Sequence, residues 1–427
     1  MKRTHEAAPP RVSLLSALVT AFLAFSPEAS AAPPLATITP TTGVATAATG
    51  KRDVLLVGNN WDGTVDVIDV QTYQRLSRIN VIPDRSERML EITFDPVRLT
   101  YFLFIREQVG EGHDQFVDDV FASNDGQVIY VSRPSFADVV AINLSTGKIR
   151  WRTRVDGNRA DHMAISPDGT RLAVSASTAN RAHIIDTATG SIVGSFPSGD
   201  NPHENNYSRD GSKIFHASIG TVYTALDTPD MDGTKGERIF QIVDARTLQV
   251  LRKMNMRQKL AEIGMPDMSA AVRPMALSPD ERFLYFQVSF FHGFVEYDLE
   301  ADRVTRIAHL PVSPETQALR RDQYLLDSAH HGLAMSGDGT KLCVAGTMSN
   351  YAAIVSRETF HYRIHPLGAR TYWATSSTDG RYCYVSVAGD DSVSVISYET
   401  EEEVARIPVG DHPQRARTAK LAASLFP

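Results

Sequence analysis

Short runs of β-branched and aromatic residues recur along the chain, each bounded by polar turn residues, as in Val128-Ile129-Tyr130-Val131 and Arg171-Leu172-Ala173-Val174. Such runs predict buried strands rather than helices. Six of them follow a turn of one pattern: Ser123-Asn124-Asp125-Gly126, Ser166-Pro167-Asp168-Gly169, Ser208-Arg209-Asp210-Gly211, Ser278-Pro279-Asp280-Glu281, Ser336-Gly337-Asp338-Gly339 and Ser377-Thr378-Asp379-Gly380. The turn aspartates are spaced 43, 42, 70, 58 and 41 residues apart, a period near 42 with insertions in two repeats. Strand-turn-strand content at that period predicts β-propeller blades.

With the strand after each turn taken as the second of its blade, six second strands start at Val128, Arg171, Lys213, Phe283, Lys341 and Arg381. A seventh, Val54–Gly58, continues into Gly63-Thr64-Val65-Asp66-Val67-Ile68-Asp69 in the way that Val385 continues into Ser392–Ser397. The expected fold is all-β: a seven-bladed propeller of four-stranded antiparallel blades. Blade one has no innermost strand before it, so the residues after Val409-Gly410 are expected to supply it and close the ring, which removes exposed sheet edges.

Length alone would allow two or three domains, but blades cannot bury their faces singly, so residues 51–427 read as one propeller. Residues 1–31 read as a secretory signal, with Lys2, Arg3 and Arg11 before an apolar stretch from Val12 to Phe25 and small residues at Ala29-Ser30-Ala31. That stretch is short for a membrane span, and a retained anchor is the alternative. Residues 32–50, rich in Ala, Thr and Pro, read as a disordered leader. The expected protein is exported, periplasmic or extracellular, and monomeric. A net charge of −7 argues against a nucleic-acid surface. Cys343 stands five residues after Asp338 and Cys383 four after Asp379, so alternation turns them to opposite faces of strands in neighbouring blades. Two packed thiols are expected rather than a disulfide.

The segments Ile165–Val174 and Val385–Ile396 resemble the repeats of YVTN (YncE-like) seven-bladed propellers. More distantly, the chain resembles the propellers of amine dehydrogenase heavy chains, nitrous oxide reductase and haem-containing nitrite reductase. The resemblance covers roughly residues 52–417. It implies the fold and leaves the function open, because that family includes enzymes, cofactor carriers and binders.

The extra residues fall at Asp84–Asp118, Thr221–Glu237, Arg252–Ala271 and Val312–Ala329, all at the end of the ring opposite the Asp-turns. An unevenly elaborated face is where binding sites on repeat scaffolds lie, and a protein partner could dock there too. Val312–Ala329 predicts a short helix with Ser313 as N-cap, Pro314 in the first turn and Leu319, Tyr324 and Leu325 as its apolar stripe. Met254, Met256, Leu260 and Ile263 are candidates to cover a pocket; packing on the rim is the alternative.

Residues shortly before each turn serine enter the central channel from that face: Asp118-Asp119, Asp161-His162, His203-Glu204, Arg273-Pro274, His330-His331 and Tyr372-Trp373, with His412 and Arg415 from the closing strand. His162, His203 and His331 come from separate blades, and three imidazoles with an open position suit a divalent catalytic metal. Glu204 is the candidate fourth ligand or general base, Tyr372 the acid and Arg273 the clamp for negative charge. Asp118, Asp161, His330 and His412 are possible further hub residues. A wet channel mouth lined with polar groups is the alternative. His162 stands one position out of phase with the others, with Asp161 holding the in-phase place. His330-His331 is similar to the paired histidines of the copper-cluster hub in nitrous oxide reductase, although the full ligand complement is missing. The absence of Cys-x-x-Cys-His argues against covalent haem. His113 with Asp114, in the long first insertion, is a minor hub candidate, and Asp227, Asp230 and Asp232 are a minor calcium-site candidate.

The leading expectation is therefore an exported enzyme holding a small organic substrate over the axis, with metal-assisted lyase or hydrolase chemistry. The alternatives are a non-catalytic binding or scaffold propeller and a copper-dependent oxidoreductase.

Overall fold

In the computed structural model, which describes residues 50–222 and 229–426, the recurring runs form seven four-stranded antiparallel sheets. The signal and leader readings, Gly50 apart, fall outside the described residues, as does Asp227. Six blades are continuous in sequence from inner to outer strand. In blade one the inner strand is Pro413–Ala422, paired antiparallel with Lys51–Asn59 and followed by Thr64–Asp69 and Arg75–Asn80. The other inner strands are Val120–Ala122, Ala160–Ile165, Pro202–Tyr207, Val272–Leu277, Gly332–Met335 and Thr371–Ser376. Each neighbours the next in cyclic order, and Pro413–Ala422 lies between those of blades seven and two. The C-terminal strand thus closes the ring.

Both faces of a blade are covered, which is why the strands read as unbroken apolar runs. Val54 and Leu56 pack with Ile129, Val131, Val140 and Ile142 of blade two. Leu55 and Val57, one residue out of step, pack with Tyr384, Val393 and Val395 of blade seven.

The same rule explains a correction. Cys343 and Cys383 are joined by a disulfide, with their Cα atoms 6.4 Å apart. Their opposite strand parity was expected to keep them apart. One blade's face meets the opposite face of the next, however, so residues of opposite parity on corresponding strands are the ones that meet.

The six Asp-turns are built alike. In blade six the Ser336 hydroxyl donates to Asp338 Oδ1 at 2.6 Å and accepts from the Lys341 amide at 2.9 Å. Asp338 Oδ1 also accepts from the Thr340 amide at 3.0 Å. These donors hold the Asp168 and Asp338 carboxyls below the usual range. The last turn residue has a left-handed backbone, φ +70 to +71° at the five glycines and +54° at Glu281, which explains the glycine preference.

The opposite rim carries the insertions. The first folds as a helical hairpin, α1 (Arg85–Thr93) and α2 (Pro96–Gln108). Asp95 caps α2 by accepting from the Val97 and Arg98 amides, and Pro96 opens its first turn. Ile92 and Phe102 anchor the hairpin on Phe116 and Phe136. A third helix, α3 (Met256–Ala261), lies between blades four and five. Met254, Met256 and Leu260 are buried in the core of blades four and five, and Ile263 is exposed, so this segment packs on the rim. The helix α4 (Pro314–Gln317) is capped by Ser313, as expected, but ends before the stripe assigned to it. Leu319, Tyr324 and Leu325 lie beyond it, in a segment of short 3-10 turns.

Candidate metal centre

The inner strands meet the axis through β-bulges. In blades three, four, five and seven, two residues of the inner strand stand opposite one of its neighbour: Asp161-His162, His203-Glu204, Arg273-Pro274 and Tyr372-Trp373. The closing strand does the same with Gln414-Arg415 opposite Gly58. A bulge breaks strict alternation and re-aims side chains. The one-residue phase difference of His162 therefore does not turn it away, and Asp161 and His162 both face the hub.

His162, His203 and His331 converge from blades three, four and six, with one ligating nitrogen from each lying within 4.8 Å of the others. The ring centroids of His162 and His203 are 3.7 Å apart, and those of His203 and His331 5.6 Å. Asp118, Asp161 and His162 form a second group meeting the same distance limit. Burial, reinforced at His162 and His331 by the Arg415 guanidinium and at His203 first by His331, holds all three imidazoles well below their ordinary pKa. They stay neutral at physiological pH, as a metal ligand must. The Nδ1 atoms of His203 and His331 are buried without a hydrogen-bond partner among the described residues.

The neighbours orient this cluster. Glu204 Oε2 lies 2.7 Å from His162 Nδ1, and Asn206 donates to Glu204 Oε1 at 3.2 Å. Burial raises the Glu204 carboxyl to about 7, against the pull of Arg415. Arg415 Nη2 donates to His162 Nε2, and the guanidinium lies 4.2 Å from the centre of the Trp373 ring. Tyr372 stacks on His331 at 4.4 Å, and burial raises its hydroxyl to about 12. Arg273 donates to Ser289 Oγ and Ser328 Oγ, both at 2.9 Å.

A small cavity of about 40 Å³ lies over the cluster, lined by Asp118, Arg159, Asp161, His162, His203, Arg273, His331, Tyr372 and Arg415. The insertions roof it through Val109, Gln115, Val222 and Leu326. Arg273 ties that roof down by donating to the Leu326 carbonyl. On the Asp-turn side a funnel of about 610 Å³ reaches the underside of the hub at Glu204, Trp373 and Arg417. Glu204 is thus behind His162, on the funnel side.

Two expected hub residues lie elsewhere. His330 points between blades, its Nε2 3.2 Å from the Tyr351 hydroxyl and its ring 5.6 Å from His292. His412 stacks on one face of Trp61 and His113 on the other, both at 3.8 Å. A residue with φ +56° precedes the bulge there, so the closing strand presents Arg415 in place of His412. Asp232 is neutralised by Arg238 and Arg257, which leaves it poorly placed to bind calcium. Sequence reasoning missed Arg159, which donates to Asp161 at 2.7 Å, and Arg417, which pairs with Asp119 through two bonds of 2.8 Å. Each stands two residues from a hub position, the strand spacing that would have marked it.

No family model matches the chain, and no curated protein is similar to it in sequence. Among solved structures it is similar to Kuenenia stuttgartiensis hydrazine synthase, with a TM-score of 0.56 at 16% identity, covering 85% of this chain and 99% of that one. It is also similar to dihydro-heme d1 dehydrogenase NirN in complex with DHE, with a TM-score of 0.53 at 12% identity, covering 85% and 74%. At these identities the likeness shows the fold alone.

Proposed function

We propose that this chain is an exported, metal-dependent enzyme of the YVTN-like propeller kind, acting by lyase or hydrolase chemistry on a small molecule held at the hub. The observation that carries the reading is the convergence of three buried, neutral imidazoles from three separate blades. His162, His203 and His331 would hold a divalent ion, which supplies a Lewis acid and an activated water when bound. Glu204 would hold the His162 ring in place by accepting from Nδ1, leaving Nε2 to face the hub, as carboxylates commonly do behind a ligating histidine. Arg273 supplies fixed positive charge beside the cavity. Tyr372 keeps its proton at neutral pH and can donate it. The disulfide between Cys343 and Cys383 supports an oxidising compartment and so supports export.

The neighbouring guanidinium favours a second reading. Arg415 meets His162 at the nitrogen that an ion would take, so a metal-free binding propeller would keep that contact intact.

Metal analysis of the purified protein separates the two. One redox-silent divalent ion per chain is the expected result; copper would move the assignment to an oxidoreductase, and a metal-free protein that refuses added zinc would leave only the binding module. His331→Ala should abolish metal retention while the melting temperature of the ring changes little, because the blades do not depend on that side chain. Unchanged metal content in that variant would refute the ligand assignment.

A further inference from the structure

Arg415 is 1% exposed, yet its Nε and Nη1 have no hydrogen-bond acceptor among the described residues. The nearest carboxylate, Asp118 Oδ2, is 3.5 Å from Nε and is itself without a donor. Of the five N–H groups of the guanidinium, one is accounted for by the bond from Nη2 to His162. Whichever Nη2 hydrogen that bond uses, one complete edge of the planar fork remains open, either Nε with Nη2 or Nη1 with Nη2. Stacking on Trp373 engages the face of the guanidinium and leaves its edges available.

Leaving a buried ionic donor unsatisfied costs more than an ordinary hydrogen bond returns. Arg415 lines the roofed cavity together with His203 and His331, each of which has an unpartnered Nδ1. Of the carboxylates lining that cavity, Asp161 is occupied by Arg159 and by Ser177 Oγ at 2.9 Å, and Asp118, 3.5 Å from Nε, makes no hydrogen bond to Arg415. A planar fork matches two oxygens of one carboxylate or oxyanion better than any other ligand. The cavity's 40 Å³ corresponds to about three water-sized groups.

We infer that the hub ligand is a small planar oxyanion of about three or four heavy atoms, of the size of formate, carbonate or acetate, gripped by the open edge of Arg415. This deepens the reading above: it rests on it for the ligand's part in a reaction but not for binding itself.

Sodium formate titrated into the purified full chain tests the inference by calorimetry. Saturable binding of one formate is expected, with no binding of benzoate, whose ring exceeds the cavity. Arg415→Lys keeps the charge and loses the fork, and should weaken formate by about tenfold or more. Absence of formate binding, equal binding of benzoate, or full formate affinity in a folded Arg415→Lys chain would each overturn the inference. Should that variant not fold, the Arg415 Nε–H resonance of the unaltered protein serves instead, and must shift as formate saturates. A chain that retains its metal but ignores formate removes this inference alone. A chain that binds formate but never takes up metal removes the metal reading alone.

Discussion

The two rims of this ring are built on opposite principles. On one, six turns repeat the same Ser–Asp hydrogen bonds, with carboxyls held below their usual range by local hydroxyl and amide donors. On the other, three of four insertions of different length and structure roof a cluster of imidazoles, guanidiniums and carboxyls, three of whose buried histidine and carboxylate atoms have no partner among the described residues. The repeated rim satisfies its turn serines and aspartates within a few residues of their own position. The irregular rim brings together groups from distant blades and leaves some unsatisfied. The turns are encoded locally and repeatedly; the hub cluster is encoded once, at the places where the repeat is broken.

Acid should separate the two rims most strongly. Nine histidines, the three of the hub among them, have pKa values below the ordinary 6.5 because they are buried. In the unfolded chain they take up protons below about 6.5 and in the fold they resist, so their contribution is intact above that pH and declines as pH falls toward 4. Asp118, Glu204, Glu111 and Asp411 are shifted upward and act in the other direction, but they are four against nine. The turn aspartates, shifted down from 3.8, contribute above that value and lose their share only below it. Denaturant midpoints should therefore fall in two stages, one between pH 6.5 and 4 and one below pH 4. A flat profile down to pH 4.5 would break the distinction.

Replacing both Cys343 and Cys383 with Ser comes next in size. The bridge closes a separation of 40 residues, so its loss should cost roughly 2–4 kcal/mol. It joins blades away from the hub, and metal content should stay constant; a parallel loss of metal would show that the two regions are coupled. Ser336→Ala removes one hydroxyl that both donates and accepts within its turn, and should cost about 1 kcal/mol with no change in metal or formate binding. A loss above about 3 kcal/mol would mean that the turns cooperate around the ring.

The repeat was legible because Ser, Asp and Gly at fixed offsets have local physical jobs, and the missing strand before Val54 pointed to closure by the C-terminus. His162, His203, His331, Arg273 and Tyr372 were legible as departures from that repeat. What could not be read depended on contacts across the ring. The bulges that admit both Asp161 and His162 depend on pairing with the next strand. Trp61 diverts His113 and His412 into a stack that no spacing announces. The disulfide was misjudged because strand parity was applied within one sheet, whereas the relevant geometry was between two. The hairpin α1–α2 went unnoticed inside a segment recognised only as surplus length.

Closure by residues 413–422 has a consequence for biosynthesis. The ribosome delivers Arg415 after the three histidines and after every blade's other strands. Until then Lys51–Asn59 has no inner neighbour and presents a bare edge of main-chain donors and acceptors. An incomplete translation product would thus expose an adhesive strand edge, easily recognised by proteases, and would lack the Arg415 that completes the hub.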